Sequence, residues 1–390
     1  MVSFHSIVLA LYVLIGPVAW GGMFFGYFLA AARMKRLGRM TPLPQVLPTV
    51  SVLIPAKDEG AEIEQCIRSV LALDYPAFDI LAIDDRSVDD TGAVMDRLAV
   101  ESKNLRIIHI PAGGLPAGWL GKCHALARGA ETVSSDWILF VDSDVRLEPA
   151  SLSIALSNAL QRDYDAVSIL TRLDCRSFWE RLVLPLAGAL WAVMFTVAGT
   201  NDDGKKTSAA ANGQFFLVRR AVYEAVGGHG AVRSQITEDV ELMRRLKSAG
   251  YRVRLCFGDH LATTRMHATL RQMMHGWGRI YSGTSRRRGG RILLAMLLLV
   301  VMGLSVYPAL VLGAFHLPLL AAASAHWILM SIYLATVYGQ TGQPKRNAFL
   351  FPLGCAVLLV LLGYALRMCR TGRVVWRDTR YEGWEPARSR

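Results

Sequence analysis

Hydrophobic residues follow two rhythms along this chain. Residues 7–31, 292–315, 317–338 and 348–366 are nearly unbroken apolar stretches, each about as long as the ~20 residues a helix needs to cross a bilayer. Between the first and second of these the pattern changes to short apolar runs separated by amphipathic segments. Residues 50–55 (Val-Ser-Val-Leu-Ile-Pro), 80–83, 105–110 and 138–141 are rich in β-branched and aromatic side chains, and read as buried strands. Residues 61–73, with Ile63, Ile67, Val70 and Leu71 at helical spacing, and residues 92–100 read as helices between them. Strands alternating with helices predict an α/β fold with a doubly wound, mostly parallel sheet. Ligands of such sheets lie beyond the carboxyl ends of the strands.

Acidic residues gather at those ends: Asp58 and Glu59 after the first strand, Asp84 and Asp85 after the second, Asp142 and Asp144 after residues 138–141. Asp142 and Asp144 flank Ser143, so at a bending strand end both carboxylates can reach one hard divalent cation, which could in turn hold a diphosphate. An isolated Asp-x-Asp equally well ends a strand and caps the next helix. Lys122 stands between Gly121 and an Ala-rich helical run, where backbone amides also favour anions; a diphosphate contact and a plain surface lysine are both open. Glu238 and Asp239 precede the helical pattern Val240, Leu242, Met243, Leu246 and so sit in a first turn, where acids also serve the helix dipole. No Gly-x-Gly-x-x-Gly follows the first strand and no Gly-x-x-x-x-Gly-Lys-Ser/Thr occurs, which excludes the dinucleotide fingerprint and the P-loop.

Charge changes the picture through its placement. The net charge of +12 suits nucleic acid or an anionic membrane surface, but Arg33, Lys35, Arg36 and Arg39 follow the first apolar stretch and Arg286, Arg287, Arg288 and Arg291 precede the second. That placement predicts a multi-pass membrane protein and no nucleic-acid partner. By the positive-inside rule the N-terminus is outside and the domain that follows is cytoplasmic. A cleaved signal peptide ending near Ala30-Ala31-Ala32 is the rival, with its positive charge on the wrong side of the apolar run. Six cysteines without a Cys-x-x-Cys pair indicate neither zinc nor a disulfide framework, and suit a reducing compartment. The expected organisation is an anchor (1–32), a cytoplasmic domain (43–291), two to three C-terminal membrane helices (292–366) and a basic tail (367–390). Three C-terminal crossings would leave Arg367, Arg370, Arg373, Arg377 and Arg380 outside, against the same rule, so one segment is expected not to span. Residues 177–197, which include Trp179, Trp191 and Phe195, fit a helix on the membrane surface or a buried core helix, and the polar loop 201–206 fits a mobile lid or a simple connection.

The order of motifs resembles the glycosyltransferases of family 2, with their GT-A nucleotide-sugar-binding fold. Val52-Leu53-Ile54-Pro55-Ala56-Lys57-Asp58-Glu59 is similar to that family's opening strand and base loop, Asp84-Asp85-Arg86-Ser87 to its nucleoside element, Asp142-Ser143-Asp144 to its metal motif and Thr237-Glu238-Asp239 to its Thr-Glu-Asp. The run Leu115-Pro116-Ala117-Gly118-Trp119-Leu120-Gly121-Lys122 is similar to the hopanoid-associated and carotenoid-type branch, and anchors at both ends resemble ceramide glucosyltransferase. The resemblance implies a donor site at Pro55, Ala56, Asp58, Glu59, Asp84, Asp85, Lys122, Asp142 and Ser143, Mg2+ or Mn2+ on Asp142 and Asp144, and Asp239 as catalytic base. Acceptor-side positions would be Gly213, Gln214, Glu238, Trp277 and Arg279. Where many members carry Gln-x-x-Arg-Trp, this chain has His275-Gly276-Trp277-Gly278-Arg279-Ile280, a departure that argues against a processive polysaccharide synthase. The tail Trp376-Arg377-Asp378-Thr379-Arg380-Tyr381 is similar to an element of ceramide glucosyltransferase-like proteins at the cytoplasmic face. The expected activity is inverting transfer from a nucleotide-diphosphate sugar, foremost a UDP-sugar, to a lipid hydroxyl. A polysaccharide or polyprenyl-phosphate glycosyltransferase and a non-catalytic membrane scaffold are the alternatives. A transporter with a nucleotide-sensing domain would need ionisable residues inside the spans, and only His316 and His326 come close.

Overall fold

The structure is a computed structural model that describes all residues except 1–3, 35, 39–41, 195, 196, 373, 377, 378, 383, 384 and 387–390. Lys35 and Arg39 of the first basic cluster, Phe195, and Arg373, Arg377 and Asp378 of the tail therefore lie outside the described residues. The chain divides into two compact units.

One unit comprises residues 34–174, 195–266 and 372–390. Its centre is a seven-stranded sheet built from β1 (Val50–Ala56), β2 (Phe78–Asp85), β3 (Leu105–Ile110), β4 (Trp137–Phe140), β6 (Ala166–Leu170), β8 (Phe216–Arg219) and β9 (Val253–Phe257). The order across the sheet is β3-β2-β1-β4-β8-β6-β9. All neighbours are parallel except β8, which runs antiparallel to both β4 and β6. The doubly wound, mostly parallel α/β sheet expected from the alternation is thus present, with one reversed strand. Short strands β5 (Val145–Leu147), β7 (Arg172–Leu173) and β10 (Ala262–Thr264) form a second small sheet. A three-stranded meander, Val374–Trp376, Thr379–Glu382 and Glu385–Pro386, follows in the tail.

Alternation along each central strand feeds two cores. In β1, Val50, Val52 and Ile54 enter one apolar cluster with Ile63, Ile67 and Val70 of the helix Ile63–Leu71, while Leu53 enters the other with Leu81, Ile83 and Leu126. Every residue of β1 is buried, as a strand covered on both faces must be. Register then fixes where the strand ends fall. Ala56 pairs with Asp84 and Leu53 with Phe140, so the segments after β1, β2 and β4 emerge along one edge.

The loop at residues 201–206 is bonded to the strand β9. Asn201 exchanges side-chain hydrogen bonds with both backbone groups of Leu255, at 2.8 and 2.9 Å, and Asp203 pairs with Arg254 at 2.7 and 2.8 Å. Lys247, in the last turn of the helix Glu238–Ser248, donates its buried ammonium to the carbonyls of Gly199, Thr200 and Ser208 at 2.6, 2.6 and 2.9 Å.

The other unit comprises residues 1–33, 175–194 and 267–371. Four of its helical segments, Ser6–Leu29, Gly289–Gly313, Leu317–Gln340 and Lys345–Thr371, are long and apolar enough to cross a membrane. All three C-terminal stretches thus qualify as spans. The helix Phe178–Met194 belongs to this unit and not to the sheet. Leu182, Val183, Leu184, Leu186 and Ala187 are buried, and its carbonyls at Ala187 and Leu182 accept the hydroxyls of Tyr281 (2.8 Å) and Tyr338 (2.7 Å). Neither histidine near the spans needs a transport role. His316 caps Leu317–Gln340 by accepting from Leu319 N–H at 3.2 Å. His326 is wholly buried, with Nε2 donating to the Met302 carbonyl (2.8 Å) and Nδ1 accepting from Tyr12 hydroxyl (3.0 Å), while Trp20 donates to the same carbonyl at 2.8 Å.

Candidate functional site

Local chemistry shapes each strand end. After β1, Asp58 adopts the left-handed conformation (φ 52°), donating its N–H to Ser87 Oγ at 3.0 Å and accepting Val88 N–H at 2.8 Å. Lys57 reaches the carbonyl of Arg86 at 2.9 Å and Glu59 N–H the hydroxyl of Thr91 at 2.8 Å. Asp58 and Glu59 therefore clamp the turn after β2, while Pro55 and Ala56 lie inside β1. Asp84 accepts Ser87 N–H (3.2 Å) on one oxygen and meets His109 Nδ1 (3.0 Å) on the other. The far nitrogen of His109 meets Asp96 at 2.9 Å. Hydrogen bonds to Asp84 first, and to Asp96 second, raise the His109 pKa above its ordinary value. Asp85 holds the Arg86 guanidinium in a two-bond fork at 2.7 and 2.8 Å. A Cβ on Gly121 would come within 2.4 Å of Asp85 Oδ2, so a larger residue at the start of the helix Gly121–Ala130 would have to displace this fork.

That helix delivers Lys122 to the centre of the site. Its ammonium lies 2.7 Å from Asp142 Oδ1 and 2.7 Å from Glu238 Oε1. Asp142 follows β4, and Glu238 opens the helix Glu238–Ser248, so one lysine joins the strand-end motif to the Thr-Glu-Asp motif. Asp239 beside Glu238 accepts Gly213 N–H at 2.7 Å and Val240 N–H at 2.8 Å. A Cβ on Gly213 would stand 3.2 Å from Lys122 Nζ and 3.3 Å from Asp239 Oδ2, which places that glycine in the cluster as well.

Burial sets the electrostatics. Desolvation and, next, the neighbouring Glu238 charge push the Asp239 carboxyl up to about 7, against the pull of Lys122 and the two amides. Burial opposes the Lys122 ammonium, yet Asp142, Glu238 and Asp239 hold it well above its ordinary value. Beneath the cluster lies a small cavity lined by Lys122, Gly213, Glu238 and Asp239 on its polar side and by Leu126, Phe140, Phe216, Leu242 and the His229 ring elsewhere.

Among the residues expected from sequence, Lys122, Asp142, Gly213, Glu238 and Asp239 come together here. Ser143 is buried beside Asp142 in the same segment as Asp144. Gln214 is engaged elsewhere, its carbonyl oxygen accepting from Thr171 and Asn212 and its amide reaching Thr264 at 3.4 Å. Trp277 and Arg279 sit on the helix Leu270–Thr284 of the other unit. His109 and His229 were not singled out by sequence reasoning; His109 ends β3 one strand from Asp84, a pairing visible only once register is known.

Residues 48–277 match the family described as Glycosyltransferase like family 2. The chain belongs to glycosyltransferase family 2. Within this family, the chain is 26% identical over 231 residues to a 4,4'-diaponeurosporenoate glycosyltransferase of Staphylococcus aureus strain MRSA252, an alignment covering 58% of this chain and 59% of that relative. The corresponding protein of strain USA300 is 25% identical with the same coverage. This family 2 chain thus spans 59% of the length of the curated relatives it matches. Among solved structures it is similar to a mannosyltransferase from Pyrobaculum calidifontis in complex with GDP-Man and Mn2+, with a TM-score of 0.55, 17% identity, and coverage of 92% of this chain and 98% of that one. That likeness confirms the GT-A-like fold of this family 2 glycosyltransferase.

Proposed function

We propose that this family 2 glycosyltransferase moves a sugar from a nucleotide-diphosphate donor, foremost a UDP-sugar, to a hydroxyl of a lipid, with inversion at the sugar carbon. The observation that carries this reading is the Lys122 bridge, which gathers Asp142, Glu238 and Asp239 into one cluster at the strand ends. A single displacement needs two things close together: charge compensation for a departing diphosphate and a base for the incoming alcohol. The curated relatives are named for a reaction on 4,4'-diaponeurosporenoate, which supports a lipid-like acceptor.

In this mechanism the loop Asp58-Glu59 and the pair Asp84-Asp85 cradle the nucleoside, with Asp84 oriented by His109. Lys122 turns its ammonium to the diphosphate. Asp142 and Asp144 fit a divalent cation by the chemistry of their donor set: hard carboxylate oxygens two residues apart, one of them already facing a cation in Lys122. Mg2+ or Mn2+ held there would offset the charge that grows on the leaving oxygen. The acceptor oxygen attacks the sugar carbon, the bond from that carbon to the diphosphate oxygen breaks, and the hydroxyl proton passes to Asp239. A carboxylate poised near neutrality suits that transfer. Gly213, packed against Asp239, leaves room on the acceptor side.

The sheet unit works at the cytoplasmic face in this reading, with the four apolar helices holding it at the membrane. The native cysteines Cys66, Cys123, Cys175, Cys256 and Cys355 are buried and Cys369 is half-buried, so a cysteine placed at exposed Lys205 in a Cys369→Ser chain is the probe of sidedness. It labels with an impermeant reagent only after permeabilisation; labelling of intact cells overturns the orientation. For the activity itself, membranes carrying the chain are incubated with a panel of labelled nucleotide sugars and the lipids separated. Label enters a lipid with the parent chain and not with Asp239→Asn. Label in polymer instead, or equal labelling with both chains, contradicts the proposal.

A further inference from the structure

His229 is a buried imidazole that the proposed reaction does not use, and the local backbone is built to place it. It follows Gly227 and Gly228, both with positive φ (82° and 49°), after the helix Arg220–Ala225. Gly228 at φ 49°, ψ −149° occupies a region that only glycine enters freely. A Cβ there would lie 2.6–2.8 Å from the ring and hydroxyl of Tyr223. The turn therefore lets Tyr223 close on His229 from one side, while Phe140 packs edge-on against the ring at 4.8 Å from the other.

The hydrogen bonds fix the ring's proton. Tyr223 hydroxyl accepts the backbone N–H of His229 at 3.0 Å and stands 2.9 Å from His229 Nδ1. Nδ1 is the acceptor that this buried hydroxyl has among the described residues, so the phenol proton goes to Nδ1 and the imidazole proton stays on Nε2. Burial, and then the nearby Lys122 charge, drive the His229 pKa down to about 3, so the ring stays neutral. The ring lines the same small cavity as Glu238, Asp239 and Lys122. The cavity is small enough to take one water at most, and its polar lining comes from Lys122, Gly213, Glu238, Asp239 and His229.

We propose that His229 is a positioning residue for the Glu238–Asp239 pair, presenting its Nε2–H to the carboxylates through one water held in this cavity. The proposal rests on the reading of Asp239 as base and gives that base a partner. The donor favours the ionised carboxylates, working with Lys122 and the Gly213 and Val240 amides against the mutual repulsion of Glu238 and Asp239, while Asp142 faces the same lysine from the strand end. Tyr223 acts one step further back by holding the tautomer.

The test is the pH titration of the buried carboxyl band in the infrared spectrum of the full-length, ligand-free chain, assigned by its loss in Asp239→Asn. His229→Asn keeps a polar group near the Nδ1 position and drops the Nε2 donor; His229→Gln extends its amide to the Nε2 position. The expected result is a midpoint raised by about one pH unit in His229→Asn and left near the parent value in His229→Gln. A structural role through Tyr223 alone predicts the reverse pattern. An unmoved midpoint in His229→Asn, or equal shifts in both variants, overturns the proposal. Because the titration uses no substrate, it stands apart from whether Asp239 is the base, which loss of transfer in Asp239→Asn decides.

Discussion

Asp142 and Asp239 are carboxylates near the same lysine, and their surroundings differ. Asp142 hangs from a strand end with 28% of its side chain exposed, and one oxygen on Lys122. In the proposed reaction that partial exposure would let a second cation approach it. Asp239 sits in the first turn of a helix, both oxygens held by backbone N–H groups and a second acid beside it, and its carboxyl is pushed up to about 7. In the proposed reaction these two acids would divide into an ion-binding end and a proton-accepting end, and their surroundings rather than their residue type would make the division.

The largest expected consequence is kinetic. Asp239→Asn keeps the shape and removes the basicity, so transfer falls by ~10²- to 10⁴-fold. The parent's rate climbs with pH through about 7 as that carboxyl ionises, and Asp239→Asn lacks this limb. Glu238→Gln is the control. Parent-level transfer by Asp239→Asn beside a dead Glu238→Gln would move the base by one position.

Stability responds with the opposite sign. A carboxyl whose folded pKa is raised makes the native state bind more protons than the unfolded one between the two values, so the parent loses stability as pH rises from about 4 to about 7. At pH 8 Asp239→Asn is expected to be the more stable chain by about 2 kcal/mol, since each pH unit across that window costs the parent about 1.4 kcal/mol and the lost acceptor takes some back. Denaturant unfolding at pH 5 and pH 8 measures it; a gap that does not change with pH removes the argument.

Lys122→Met leaves Asp142 and Glu238 without their shared cation. Removal of one partner from a well-buried ion pair costs several kcal/mol, and the partial exposure of Lys122 and Asp142 brings the expectation to about 2 kcal/mol. Lys122→Arg should lose less. The smallest effect belongs to His109, 45% exposed between Asp84 and Asp96. Its raised pKa makes its support complete below pH ~6.5 and lost as pH rises through the folded value, so parent and His109→Gln converge in thermal stability at alkaline pH.

Much of this was legible in the chain. Residues 105–110 coincide with β3, and the strands expected at 50–55 and 80–83 differ from β1 and β2 only at their ends, because apolar runs bounded by charges leave little choice. The reversed direction of β8 was not legible, since an apolar run such as Phe215 to Val218 reads the same either way up. The helix Phe178–Met194 looked apolar enough for a membrane surface or a core; its partners Tyr281 and Tyr338 lie far along the chain, and no periodicity names them. Loop 201–206 fitted a mobile lid or a simple connection from its polar residues, and those polar groups bond Leu255 and Arg254, partners that no local pattern names. In the site, acids at strand ends announced themselves. His229 did not, because a lone histidine after two glycines carries no signal until Tyr223 and the cavity are in view.

The division of labour between the two acids is tested most directly by calorimetric titration of UDP with Mn2+ into Asp142→Asn and Asp239→Asn. The account predicts that Asp239→Asn binds like the parent, while Asp142→Asn loses affinity by about tenfold or more, ~1.4 kcal/mol. Equal losses in the two variants, or a loss confined to Asp239→Asn, would contradict it.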